Sequence, residues 1–542
     1  MVKRKQTSDL RTGTFNMTVH KYPSMPLLKT TSAVHWGYEN VQPFFPPVEK
    51  LFKTQDLENF SDYGIHFDNE IASVVSPTEI RTITGETVEV HRKSTMILSP
   101  FNWMQNEYST LILPTTQEQS KITSDKIQSP NNAAYVGALI SAIFSKTGFP
   151  NFPIVYGLLN GISKFHKIDI SDDYEELCER SWFSANIGKL FEIELDNSNE
   201  SPSVFKHTRT AKNRIELGED IMLDNVEEVS GVGGDSLPAE IKHMFHETEE
   251  ESENMSECSS VSTSYLFHAH SCDCSEYSDD ETEDEEESSF AWAKFTHVPV
   301  QVTIMEKCEG TLYGLFTKFP DSQKQIAWIS QVIFTLAYAQ RNFSFVHNDL
   351  HGNNIMYIKT DLEYINYNCG GSIYRIPTYG YLMKLIDFER SILSVKLNGM
   401  KEPKIFMSDH FSQEEEAGGQ YNCEPFYNSK FQTVKPNPSF DLVRLATSMF
   451  WDIFPEGPDH ADYKEQPLFN LFIKWLTLPD KSSILFGSTN VKHDRYHGFN
   501  LYKAIARHCK DTAVPRKEIL ELKKLYEVTS VPQGEKVHAI DF

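Results

Sequence analysis

The chain lacks an apolar run long enough to cross a bilayer as a helix. Its longest helical one, Ala133 to Phe144, falls short of the ~20 residues required. Behind the basic start Met1-Val2-Lys3-Arg4-Lys5-Gln6 no apolar segment of the secretory-signal kind follows. Cationic residues are also in short supply. Lys and Arg number 51 against 76 Asp and Glu, a net charge of −25, which argues against a general nucleic-acid-binding surface. The eight cysteines are scattered over 542 residues and suit free thiols in a reducing compartment better than a disulfide framework. No G-x-G-x-x-G turn and no internal repeat is present. These absences predict a soluble intracellular protein without a membrane or nucleic-acid partner.

The acid is unevenly placed. About sixteen acidic residues and no Lys or Arg lie between Glu247 and Glu287. Residues 197–289 as a whole carry Ser, Glu, Asp and Gly without apolar periodicity. They read as a long disordered acidic insertion, a surface for basic protein partners. Within it, His268, His270, Cys272 and Cys274 alternate at every second residue, which is not the C-x-x-C spacing of a structural zinc site. Ser275 and Ser278 precede a run of carboxylates, the setting of an acid-directed phosphorylation target.

What is present in strength is His347-Asn348-Asp349-Leu350-His351-Gly352-Asn353-Asn354, followed by Leu385-Ile386-Asp387-Phe388-Glu389. A phosphoryl transferase needs three acceptors in this order. Asp349 is placed to accept the proton of an attacking hydroxyl. Asn354, across the same loop, and Asp387, closing an apolar strand, are placed to hold Mg²⁺ against the phosphates of ATP. His351 offers a further hydrogen bond toward the transferred group, or merely packs the loop. Upstream, Val298 to Met305 reads as a buried strand. It leads into Glu306-Lys307-Cys308, a hinge whose backbone faces an adenine edge, with Met305 at the back of that pocket. A helix with Ile326, Ile329, Ile333 and Leu336 on one face then runs into His347.

The cationic anchor is less sharply marked. Val90-His91-Arg92-Lys93 ends a strand after a hairpin turning near Gly85; Lys93 is the first choice and Arg92 its rival. The next helix, capped by Ser129-Pro130 and ended by Gly148 and Pro150, carries no acid to pair with that lysine. Gly64 stands alone where a phosphate loop belongs. Farther on, Asp441 opens a buried helix and is expected to brace the catalytic loop by accepting its N–H groups.

The chain resembles a protein-kinase-like family of large cytoplasmic (giant) DNA viruses. The likeness is carried by Met305 to Leu312, His347 to Asn354, Ile376 to Gly380, Lys384 to Phe388, Gln420 to Pro425, Pro438 to Leu445 and Tyr502 to Arg507. Asp349-Leu350-His351 is also similar to haspin-type kinases. The resemblance implies an α+β, bilobal protein-kinase-like fold: a β-rich small lobe, a helical large lobe, and Ser/Thr transfer from ATP with Mg²⁺ to a protein substrate. It also implies residence in the host cytoplasm, with packaging into the virion left open. On that frame residues 1–35 form a flexible tail and 36–196 the first part of the small lobe. The insertion 197–289 follows, then the last strand and hinge at 290–308. The large lobe fills 309–530 and a C-terminal tail 531–542. Residues 358–380 read as a long hairpin. Three departures are the Glu389 after Asp-Phe, the missing glycine turn and the missing small-lobe acid. They leave two alternatives open: a small-molecule kinase of the choline or aminoglycoside type, and a pseudokinase acting as a scaffold.

Overall fold

The structure is a computed structural model. It describes residues 14–52, 63–108, 121–171, 173–196, 290–412, 417–421, 436–487, 494–496 and 498–541. The insertion expected at 197–289, with its His/Cys cluster and Ser275 and Ser278, lies outside the described residues. The fold mixes a β-rich half and a helix-rich half.

The β-rich half is a seven-stranded antiparallel sheet. Its order is Tyr38–Pro43, Val155–Asp169, Phe290–Glu306, Thr87–Met96, Glu79–Thr82 and Ile71–Ser76, with Glu192–Asp196 added beside Phe290–Glu306. The strand Phe290–Glu306 shows why this sequence is strand. Val298, Val300, Val302 and Ile304 alternate, so one face is apolar and all four are buried. Ala291, Ala293 and Phe295 are buried on the opposite parity, and His297, at φ 53°, lies where the alternation shifts.

The helix Ala133–Thr147 packs on this sheet. Asn132, not Ser129, caps it: Asn132 Oδ1 accepts from Ala134 N at 3.1 Å, whereas Ser129 Oγ is engaged by Asn131 N. The helix ends at Gly148 in the left-handed region, as its sequence predicts. Tyr135, Leu139, Ile143 and Phe144 are buried, each contributing about 1.5–3 kcal/mol by removal from water.

The helix-rich half is built on Ser322–Phe343. Asp321 caps it by accepting from Gln323 N and Lys324 N. Helices Phe440–Ile453, Pro467–Leu476 and Phe499–His508 surround it. The expected long hairpin forms as Tyr364–Cys369 and Ser372–Pro377, turning through Gly370 and Gly371 at positive φ. Among the described residues no helix is long and apolar enough to cross a membrane, and Cys178, Cys308, Cys369 and Cys509 are free thiols.

Two expectations about the ends need correction. Residues 14–35 are not a loose tail. Thr14–Phe15 pairs with Ile392–Leu397, Val19–Lys21 pairs with Tyr63–Ile65, and Met25–His35 is a helix. The polar composition hides Met17, Tyr22, Met25 and Leu28, which are buried and offset the cost of ordering the chain. Near the C-terminus, Val537–Ala539 pairs with Tyr364–Cys369, Ile540 is buried, and Asp541 bridges Arg341 and Arg516.

Candidate functional site

The long helix Ser322–Phe343 stops at Ser344, which takes φ 49°, and the chain turns into the loop His347–Asn354. A loop this buried must find partners for its backbone groups. Asp441, at the start of the helix Phe440–Ile453, supplies two: Oδ2 accepts from His347 N at 2.9 Å and Oδ1 from Asn348 N at 3.0 Å. Burial pushes the Asp441 carboxyl up to about 6, against His347 and those two N–H groups, which hold it down. Asn348 sits at φ 65°, a conformation that Asn tolerates. Its Nδ2 donates to Arg390 O at 3.0 Å and its Oδ1 accepts from the Tyr421 hydroxyl. His347 Nε2 lies 2.8 Å from Ile386 O, and Ile386 N donates to Asn354 O at 3.1 Å, so the loop is bound to the stretch that carries Asp387.

Asp349 is nearly enclosed, and Tyr502 donates to its Oδ1 at 2.6 Å. Burial alone would raise its carboxyl. Arg390, His351, Arg444 and the Tyr502 bond outweigh that and hold it below the usual carboxylate range. It is therefore ionised at neutral pH and can only accept. Asn354 Nδ2 donates to Asp349 O at 2.9 Å, which directs its amide oxygen away from that carbonyl. His351 Nδ1 accepts from Asn353 N at 3.3 Å, closing the short turn Gly352–Asn354.

Lys93 and Arg92 separate by strand alternation. Arg92 lies over the rings of Trp36 and Tyr38, at 5.1 and 5.8 Å. Lys93, on the other face, places Nζ 2.6 Å from Asp387 Oδ1 and 2.6 Å from Glu389 Oε1. Burial would lower the Lys93 ammonium, but the two carboxylates hold it above its ordinary value. Asp387 in turn is held down by Lys93 against its own burial. It sits at φ 65°, in the left-handed region that Asp, like Asn, enters more readily than most residues.

Glu389 is the residue that sequence reasoning did not use. The helix Ala133–Thr147 bears no acid for Lys93, and Glu389 gives the lysine a second carboxylate from across the fold. It also accepts from Thr95 Oγ1 at 2.7 Å. Gly137 makes room for it: a Cβ there would lie 2.8 Å from Glu389 Cγ and 3.1 Å from Glu389 N. The signal was an unusual acid after Asp-Phe paired with a glycine inside a helix. Tyr502 was likewise part of a noted segment without a role.

Met305 is buried at the end of its strand, packed in the core with the helix Ala133–Thr147. Glu306 N donates to Ile154 O at 2.7 Å, and its carboxylate meets Lys384 Nζ at 2.8 Å. Burial, with Glu306 nearby, pushes the Cys308 thiol up to about 12. Gly64 does not belong to a phosphate loop. It sits in the strand Tyr63–Ile65, where a Cβ would lie 2.8 Å from the Tyr22 ring and 3.0 Å from Pro43. The hairpin that leads into the Lys93 strand turns at Gly85, φ 91°, as expected, with Gly85 N donating to Thr82 O at 2.9 Å. The hairpin before it, Ile71–Ser76 with Glu79–Thr82, turns at Pro77-Thr78 without a glycine. Val90 N donates to Thr78 O at 2.8 Å, three residues short of Lys93.

No protein-family model matches the chain. Over 121 residues it is 36% identical to a protein of Acanthamoeba polyphaga mimivirus provisionally named a serine/threonine-protein kinase, covering 20% of this chain and 25% of that protein. The likeness is to protein kinases, over part of the chain. Over 65 residues it is 35% identical to the serine/threonine-protein kinase haspin of Mus musculus, covering 12% of this chain and 9% of haspin. An uncharacterized protein of Caenorhabditis elegans is 32% identical over 71 residues, 13% of this chain and 24% of that protein. The chain thus matches a quarter or less of the length of these relatives.

Proposed function

We propose that this chain is a bilobal serine/threonine protein kinase that moves the γ-phosphoryl group of ATP to a protein hydroxyl. The observation that carries the reading is the meeting of Lys93 with Asp387, on a stretch hydrogen-bonded to the loop that holds Asp349 and Asn354. The Asp387 carboxylate, which also meets Lys93, and the amide oxygen of Asn354 are hard oxygen donors of the kind that would hold Mg²⁺. Mg²⁺ held there would neutralise charge on the nucleotide phosphates. Lys93 would bind the phosphates, while Met305 would back the adenine and the backbone of Glu306 and Cys308 would meet its edge. Asp349 accepts the proton of the acceptor hydroxyl, with Tyr502 and Arg390 fixing its orientation and charge. His351 closes the loop beside it. Glu389 holds Lys93 in place of an acid on the helix.

A second reading, a nucleotide-poor scaffold, is favoured by one observation: the hairpin at Pro77-Thr78 has no glycine and stops opposite Val90. Turnover separates the two. Purified protein is assayed with Mg²⁺-ATP and a mixture of basic and acidic protein substrates, with Asp387→Ala and Asp349→Asn alongside. The kinase reading expects wild-type transfer and a loss of roughly 10²–10⁴-fold in each variant. Transfer in Asp387→Ala equal to wild type would end it. Absence of transfer in all three, with no thermal shift of the wild type on Mg²⁺-ATP, selects the scaffold.

A further inference from the structure

We infer that His20, His66 and Glu70 form a divalent-metal site, suited to Zn²⁺, on the β-rich half and separate from the proposed phosphoryl-transfer residues. His20 lies on the strand Val19–Lys21, and His66 directly follows its partner strand Tyr63–Ile65. Glu70 precedes the strand Ile71–Ser76. The chain thus brings three ligand types from three places to one point, where one donor atom from each lies within 4.8 Å of the others.

The detailed geometry favours a cation over a simple hydrogen-bonded pair. His20 Nε2 stands 2.6 Å from Glu70 Oε2, and His66 Nδ1 faces the same oxygen from 3.9 Å. One oxygen thus faces two imidazoles and bonds one of them. The second is too far to bond, and His66 Nδ1 is left buried without a hydrogen-bond partner. The Glu70 side chain is 1% exposed, and no Lys or Arg is paired with it among the described residues. A buried carboxylate needs a cation or a full set of donors. A metal between the three atoms would supply it. It would need a shift of under about 1 Å to reach the 2.0–2.2 Å of zinc bonds to nitrogen and oxygen. Two imidazoles and one carboxylate suit Zn²⁺ over Mg²⁺ or Ca²⁺, which take oxygen. Both histidine side chains are about a third exposed, leaving room for water as a fourth ligand.

The site would act as a clasp. It fastens the N-terminal strand to the edge of the sheet, and Lys146 Nζ joins it to the helix Ala133–Thr147 by donating to His66 O at 2.8 Å. Lys146 is nine residues beyond Gly137, about 14 Å along the helix from the Glu389 contact.

The test is zinc content and thermal stability of the full chain. The wild type, His66→Ala, and a variant with His268, His270, Cys272 and Cys274 all changed to Ser are stripped with chelator, loaded with Zn²⁺, desalted and measured by elemental analysis. Melting is recorded with and without Zn²⁺. His66 is partly exposed, so His66→Ala is expected to fold, which its melting in chelator checks. Glu70→Gln serves as a second ligand variant. The inference expects one zinc per wild-type chain, kept in the four-site variant, and lost together with the zinc-induced rise in melting in His66→Ala and Glu70→Gln. Zinc content in His66→Ala equal to wild type, or no zinc on the wild type, overturns it.

Discussion

The loop His347–Asn354 and the strand that carries Lys93 solve the same problem in opposite ways. The loop is held mainly by its own half of the molecule. Asp441 takes two of its N–H groups, Tyr421 and Arg390 O hold Asn348, and Tyr502 holds Asp349. Lys93 is held by the other half, through Asp387 and Glu389. The difference teaches where each part is vulnerable. The loop depends on several buried bonds from its own half, so its failure should appear as lost stability. The lysine depends on two carboxylates reaching across, so its failure should appear as lost activity with the fold intact.

The sharpest break is Asp441→Ala. It strands two buried N–H groups, each costing about 1–3 kcal/mol, so roughly 2–6 kcal/mol of stability is expected to go. Denaturant melts check this, and a loss below about 1 kcal/mol would mean that the loop holds itself. Asp441→Asn, which keeps one acceptor oxygen, is expected to lose less.

Acid should separate the two halves. Burial lowers the His166 ring, on the strand Val155–Asp169, from 6.5 to about 4. The fold therefore favours the neutral ring. Its contribution is complete above pH 6.5 and is lost as pH falls toward 4, at most roughly 3 kcal/mol. Asp349 is depressed below 3.8, so its contribution is present above that pH and is lost only beneath it. Asp441, raised to about 6, takes up its proton in the folded state first and so adds stability rather than removing it as pH falls from 6 toward 3.8. Hydrogen exchange, corrected for intrinsic rates, should show the strand Val155–Asp169 loosening between pH 6.5 and 4 while the loop His347–Asn354 stays protected. His166→Gln should flatten the response of the strand, and equal pH responses in variant and wild type would refute the assignment.

The smallest expected effect tests the crossing contact. Gly137→Ala drives a methyl group against Glu389 and should displace it from Lys93. Transfer should fall by about tenfold, or about 1.4 kcal/mol in the barrier, while melting changes little because Ala favours a helix over Gly. Steady-state kinetics on a folded sample decides it. Unchanged kcat and KM would show that Asp387 alone suffices for Lys93.

Legibility followed the same division. Asp349, Asn354 and Asp387 lie in two short contiguous motifs, so chemistry and spacing could be read together. The helices and strands of the core were legible from apolar periodicity, as at Val298 to Ile304 and Ile326 to Leu336. Asp441 could be expected to accept loop N–H groups because an acid opening a buried helix has few other uses. The packed ends were missed because Met17, Met25, Leu28 and Ile540 are thinly spread among polar residues, and their burial depends on partners far along the chain.

The sequence by itself determined the core strands and helices with clear apolar periodicity, the contiguous acceptor motifs and the absence of an acid on the helix Ala133–Thr147. These are local properties, set by periodicity, caps and neighbouring side chains. Only the tertiary structure decided that Lys93 and not Arg92 meets Asp387, that Glu389 stands against Gly137, and that His20, His66 and Glu70 converge. The physical reason is that each of these contacts joins residues with no local signal between them. The lysine and Glu389 are separated by 296 positions, and what brings them together is the packing of the β-rich and helix-rich halves around a shared core, which no window of sequence contains.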